Sequence, residues 1–306
     1  MGEGYRALRE SAALVDLNAR GRFRALGEDR ARLLHAMSTN HIQQLAPGQG
    51  CYTFFLNAQG RILADAVILC LEDCFLLDTE AEAHATLFEH LDRYIIADDV
   101  TLEDARSDLA AIGLQGPKAA ELLMSLGAPA PAQDYQHQSW EGAIVARVAG
   151  GFRIFPPAVL HGALWERLLA SGAIPATPEE SNIVRLEQHQ PRYGDDITDR
   201  YLVQETQQLH AIHFSKGCYV GQEIVERVRS RGQVHRLLTP LLIDSPAPPA
   251  KGTHLKSGET DAGELTSAAY SPALGKVVAF AYVRAEHLRP NHPLAIDGAA
   301  VEPVFK

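Results

Sequence analysis

Apolar positions in the first half of this chain follow two periods. Short runs alternate every second residue, and longer runs repeat every third or fourth. The helical period predicts a helix over residues 5–15 and another after Gly27-Glu28-Asp29, with Ala31, Leu33, Leu34 and Met37 as its apolar positions. It also predicts a helix over 80–94, with Leu87, Leu91 and Tyr94 on one face. The two-residue period predicts strands over 22–26, 51–56, 62–71, 75–79, 100–103 and 109–115. Asn57-Ala58-Gln59-Gly60 reads as a hairpin loop, Pro47-Gly48 as a turn, and Pro117 as the first residue of a helix. Residues 152–155 followed by a helix over 159–170 repeat the strand-then-helix theme. Frequent hairpins among mixed elements predict an α+β fold with antiparallel sheets. After residue 244 a stretch rich in proline and small residues reads as a linker, and the short apolar runs beyond it predict a small β-barrel, with residues 237–243 leading in.

Composition adds bounds. With 306 residues, 46% hydrophobic and 22% charged, the chain is long enough for about two domains of an ordinary globular protein. A net charge of −10 opposes direct binding to nucleic acid or an anionic membrane. There is no apolar run long enough for a membrane span, and the acidic N-terminus resembles neither a secretory signal nor a transit peptide, so a cytoplasmic location is expected. Of the cysteines at 51, 70, 74 and 218, none has zinc-finger spacing, and neither a resident metal nor a resident iron–sulfur cluster is expected. The histidines form no metal-ligand pattern, and no glycine-rich nucleotide loop is present.

The densest chemistry lies at Lys216-Gly217-Cys218-Tyr219-Val220-Gly221-Gln222-Glu223. The following segment, 221–231, has a helical look, which would set Cys218 just before a helix N-terminus. Orphan amides there and the neighbouring Lys216 would lower a thiol pKa and favour the thiolate. The alternative is a structural cysteine in a glycine turn. Between Lys216 and Arg236 five cations face two anions, which reads either as a solvated helix face or as a rim for an anion.

The same eight residues resemble the signature of the YgfZ-type folate-binding proteins. That family includes mitochondrial iron–sulfur assembly proteins and is related to the glycine-cleavage T-protein (aminomethyltransferase). Residues 35–65 and 183–197 are similar to T-protein segments as well. The resemblance implies two α+β lobes around a central folate cavity (residues 1–236), followed by a C-terminal β-barrel domain (237–306). It implies tetrahydrofolate or a one-carbon derivative as cofactor and iron–sulfur client or assembly proteins as partners, in support of cluster assembly or repair, tRNA-modifying enzymes included.

By the same resemblance Glu187 would read the pterin and Arg227 would meet the folate carboxylate tail. Asp65, Tyr52 and Asn40 would line the cavity, while Cys218 with Lys216 would supply the reactive group. Lys216, Gly217, Cys218, Tyr219, Gly221, Gln222 and Glu223 carry the motif. One departure stands out: T-proteins have two adjacent aspartates where this chain has Ala64-Asp65. That weakens the rival expectation of aminomethyl or methyl transfer. A further rival is a non-catalytic adaptor that docks a partner through the 216–223 loop.

Overall fold

A computed structural model describes residues 2–232, 234–289 and 292–305. Its helices are α1 (Glu3–Glu10), α2 (Arg30–Met37), α3 (Ala81–Asp92), α4 (Ala119–Ser125), α5 (His161–Ala170), α6 (Pro178–Glu187) and α7 (Gln222–Arg231). The first sheet has the spatial order Gly50–Leu56, Ile62–Cys70, Phe75–Thr79, Gly21–Leu26 and Thr101–Asp104, antiparallel throughout. The second runs Ile174–Pro175, Ala13–Asp16, Ile112–Gln115, Gly151–Phe155, Ala143–Val148 and His137–Trp140. Only the short Ile174–Pro175 strand pairs parallel in it. Strands between Arg236 and Pro303 close into a six-stranded barrel.

Side-chain alternation explains how the sheets stack. From Phe23, Phe55, Ala66, Ile68 and Leu77, one face of the first sheet packs on α2 and α3. The opposite face offers Val67, Leu69 and Leu76 to Ala146 and Phe155 of the second sheet. The second sheet's outer face, with Leu114, Val145, Phe152 and Ile154, packs on α4 and α5. The layers are therefore helix, sheet, sheet, helix, and one-residue alternation decides which side chains look inward between the sheets. Tyr52, Asp65, Asp78 and Arg153 share that inner register with Val67, Leu69, Leu76 and Phe155.

Local departures from the sequence reading have physical causes. The helix expected over 5–15 stops at Glu10, and Ala13–Asp16 is a strand. Ala13, Leu14 and Val15 are buried in succession, as befits a strand covered on both faces, and such a run does not reveal its period. Pro117 lies outside α4, which starts at Ala119 after Lys118. Cys70 and Cys74 are free thiols. Their hairpin pairs Cys70 with Phe75, and Leu71 bonds Cys74, so strand alternation sends the two thiols to opposite faces.

The barrel is fastened to the lobes through the 192–197 segment. Asp196 is fully buried, pairs with Arg185 at 2.7 Å and accepts the Thr266 hydroxyl at 2.6 Å. Tyr201 stacks on Tyr282 with ring centroids 3.5 Å apart. No described helix is long and apolar enough to cross a membrane.

Candidate functional site

Between the two sheets the apolar packing opens into a polar cavity of about 540 Å³. Tyr52, Asp65 and Asp78 line it from the first sheet, Arg153 from the second, and Arg192 and Tyr193 from the segment after α6. Its charges are held by one shared carboxylate. Asp78, fully buried, accepts Arg20 at 3.0 Å and also Arg153, while Arg20 reaches on to Glu80. Burial raises the Asp78 pKa, but the two guanidiniums outweigh it and hold the carboxyl below its usual value.

Asp65 lies in the same cavity under different terms. No ion pair engages it among the described residues; the Tyr52 hydroxyl donates to Oδ2 at 2.7 Å. Burial pushes its pKa up to about 6, with the tyrosine bond opposing the shift. Tyr52 is itself raised well above the ordinary phenol range, first by burial and then by Asp65. Its ring stacks on His210 at 5.5 Å. Asn40 fixes this edge, donating to the Tyr52 and His210 carbonyls at 2.9 and 3.1 Å. Tyr135 and Tyr193 add aromatic wall, each pushed up to about 12 by burial. Cys51 borders the cavity while its side chain packs on the α2 side of the sheet; burial pushes its thiol up to about 12 and so keeps it protonated at neutral pH. A buried carboxyl with its second oxygen open, among aromatic side chains, suits a flat heterocycle with N–H groups at its edge.

Four expected residues lie outside this cavity. Glu187 ends α6 but does not line this cavity; it borders a separate hollow beside α1. Its carboxylate is already occupied by the Tyr5 hydroxyl at 2.5 Å, the Ser271 hydroxyl at 2.6 Å and Arg9. It joins α1, α6 and the barrel rather than presenting free oxygens to a pterin. Arg227 is exposed on α7 and is not among the cavity-lining residues.

Cys218 is exposed, and the helix expected over 221–231 forms as α7 with Gly221 at its N-cap, so the thiol precedes the helix as the sequence predicts. Lys216, in contrast, turns away from the thiol. Its buried ammonium donates to the Ser38 carbonyl at 2.5 Å and to the His35 carbonyl, and lies 4.8 Å from the centre of the Tyr219 ring. Burial brings its pKa down to about 7.

The 216–223 motif is thus mostly a strap. His35 Nε2 contacts the Lys216 carbonyl at 2.9 Å, Val220 N donates to the Ala36 carbonyl at 3.0 Å, and Lys216 satisfies carbonyls at the end of α2. Gly221 has φ +84°, and a Cβ there would meet the Asn57 carbonyl oxygen at 2.7 Å. Cys218 and Glu223 are the exposed motif side chains that this strap leaves facing solvent. The sequence reading passed over Arg20, Asp78 and Arg153. The available signal was a lone carboxylate in the apolar strand Phe75–Thr79.

Comparison with known proteins fits this geometry. Residues 1–216 match the GCVT N-terminal domain, and residues 236–302 match the glycine cleavage T-protein C-terminal barrel domain. A chloroplastic protein of Arabidopsis thaliana, named as a candidate transferase, is 28% identical over 276 residues. That alignment covers 87% of this chain, which spans only 63% of the Arabidopsis protein. An aminomethyltransferase of Symbiobacterium thermophilum is 28% identical, with 93% of this chain and 82% of that protein covered. The crystal structure of the glycine cleavage system aminomethyltransferase T from Bartonella henselae superposes with a TM-score of 0.90 at 21% identity. It covers 99% of this chain and 88% of its own, and shows that the fold is shared.

Two expected outcomes follow from the site. The folded-state pKa of Asp65 lies above the ordinary value of 3.8, so the folded protein holds an extra proton and loses stability as pH rises towards about 6. Asp65→Asn should therefore stabilise the protein at about pH 7.5 by on the order of 2 kcal/mol and give little gain at about pH 4, in paired thermal melts. A gain that is the same at both pH values would contradict the assignment. Lys216→Met should lower stability by about 1–3 kcal/mol in urea unfolding, because two carbonyls near the end of α2 lose their donor. Unchanged stability would argue against the strap.

Proposed function

Because this chain belongs to the glycine-cleavage T-protein family, we propose that its central cavity binds a reduced folate and that the protein works as a tetrahydrofolate-dependent factor of the YgfZ type. In that role it supports assembly or repair of iron–sulfur clusters in client enzymes. The observation that carries the folate reading is Asp65: a buried, protonatable carboxyl with one oxygen open, facing a cavity of about 540 Å³. Bound tetrahydrofolate would supply nitrogens able to carry a one-carbon unit. Asp65 would accept an N–H from the ring or share a proton with it, oriented by the Tyr52 hydroxyl. Arg20, Arg153 and Asp78 would fix the cavity charge while Asp65 exchanges its proton near pH 6. Walls from both sheets would exclude water from that proton.

The iron–sulfur role rests on the motif resemblance, on the exposed Cys218 thiol and on Ala64, which leaves the site one carboxylate short of the transferase pattern. The second reading, one-carbon transfer, is favoured by the raised pKa of Asp65, a property suited to acid–base work at a folate nitrogen.

Calorimetric titration with tetrahydrofolate should show binding that Asp65→Asn weakens about tenfold or more, while Glu187→Gln changes it by no more than about twofold. Binding abolished by Glu187→Gln and untouched by Asp65→Asn would reverse the site assignment, and no binding to the wild type would remove the folate reading. In cells lacking the gene, Cys218→Ala should restore an iron–sulfur tRNA-modifying enzyme less well than wild type. Full restoration would take the thiol out of the mechanism. Ammonia release from an aminomethyl donor in the presence of tetrahydrofolate would instead select the transferase.

A further inference from the structure

A second hollow, of about 490 Å³, lies on the outer side of the second sheet between α1, the start of α4 and the end of α6. Leu8, Ala120, Phe152 and Val184 give it apolar walls. Gly116 and Gly151 let backbone close in around it; a Cβ on Gly151 would meet the Leu114 carbonyl oxygen at 2.3 Å. Two arginines line it. Arg9 is neutralised by Glu187. Arg147 is not: no carboxylate pairs with it among the described residues, and its Nε is buried with no hydrogen-bond partner.

Strand pairing sets Arg147 opposite Phe152, and its guanidinium lies 5.1 Å from the centre of that ring. The ring holds the cation by its face, the half-buried side chain keeps its terminal nitrogens at the hollow, and Nε is left buried without an acceptor. A buried donor of this kind is costly unless something accepts from it.

We infer that this hollow is a binding site for the carboxylate of a small molecule with a flat or branched apolar body, gripped by Arg147 and covered by Leu8, Ala120 and Val184. A guanidinium fork matches a carboxylate in geometry and charge, and the apolar walls match the rest of such a molecule better than they match a fully hydrated inorganic anion. The hollow shares Gln188 with the central cavity. The carboxylate could therefore belong to a separate acid or to the tail of a ligand seated in the cavity. The inference does not rest on the folate reading.

The test is isothermal titration of the full chain with benzoate, benzamide and inorganic phosphate. Benzoate should bind, and benzamide and phosphate should bind at least about tenfold more weakly. Arg147→Gln should weaken benzoate by about tenfold or more. Ala120→Phe, which fills the hollow from α4 and keeps the guanidinium, should weaken it as well, and serves if the arginine variant fails to fold. A repeat with the central cavity saturated by tetrahydrofolate separates the sources: retained benzoate binding identifies a separate acid, and competition identifies a ligand tail. Benzoate bound equally by wild type and both variants, no benzoate binding at millimolar concentration, or phosphate binding as tightly as benzoate would overturn the inference.

Discussion

The architecture depends on a single buried carboxylate shared between two sheets. Asp78 sits inside a layer otherwise made of Val67, Leu69, Leu76 and Phe155, where an unpaired charge would be expelled. It stays because Arg20, from the start of one strand, and Arg153, from the opposite sheet, both reach it. The pair of sheets is thus fastened by a polar cluster as well as by apolar contact. Such a cluster contributes little net stability against a well-packed apolar alternative, but losing one partner would strand the others. The same three side chains line the cavity between the sheets.

That constraint divides the work between two aspartates. Both are on inner-facing positions of adjacent strands and both are buried, yet they titrate in opposite directions. Asp78 has two guanidiniums and is held down; Asp65 is pushed up by burial, with only a phenol to oppose the shift. Pairs of carboxyls whose surroundings separate their proton affinities are a common basis for assigning acid–base roles. Here one carboxyl keeps the structure charged and closed while the other remains available to a ligand. The barrel contributes from below through Asp196, which anchors the segment carrying Arg192 and Tyr193 into the cavity wall.

Much of the fold was legible because local patterns and tertiary demands agree. The hairpin at residues 57–60, the strands on either side, the helix over 80–94 and the C-terminal barrel follow from period and turn residues alone. The site was legible only where a side chain's role depends on its own strand. Asp65 and Tyr52 were placed by the family resemblance, and strand alternation agrees by setting them diagonally across one hairpin on the same face. Glu187 could not be placed, since its partners Tyr5, Arg9 and Ser271 come from a helix at the start of the chain and a strand of the barrel. Lys216 misleads for the same reason. Two residues from Cys218 in sequence, it is spent on carbonyls near the end of α2. Sequence proximity sets an upper limit on how far apart two groups can be, but not the direction in which a long side chain leaves the backbone.

The account turns on Asp65 holding its proton well above the ordinary carboxylate range inside a cavity lined by Asp78 and the two arginines. Carbon-13 NMR titration of the aspartate side chains, with the resonance assigned through Asp65→Asn, measures this directly. The expected result is a midpoint near the value of about 6 given by the burial of that carboxyl. A midpoint at or below the unperturbed value of 3.8 would mean that the carboxyl is solvated or ion-paired, and would contradict the account.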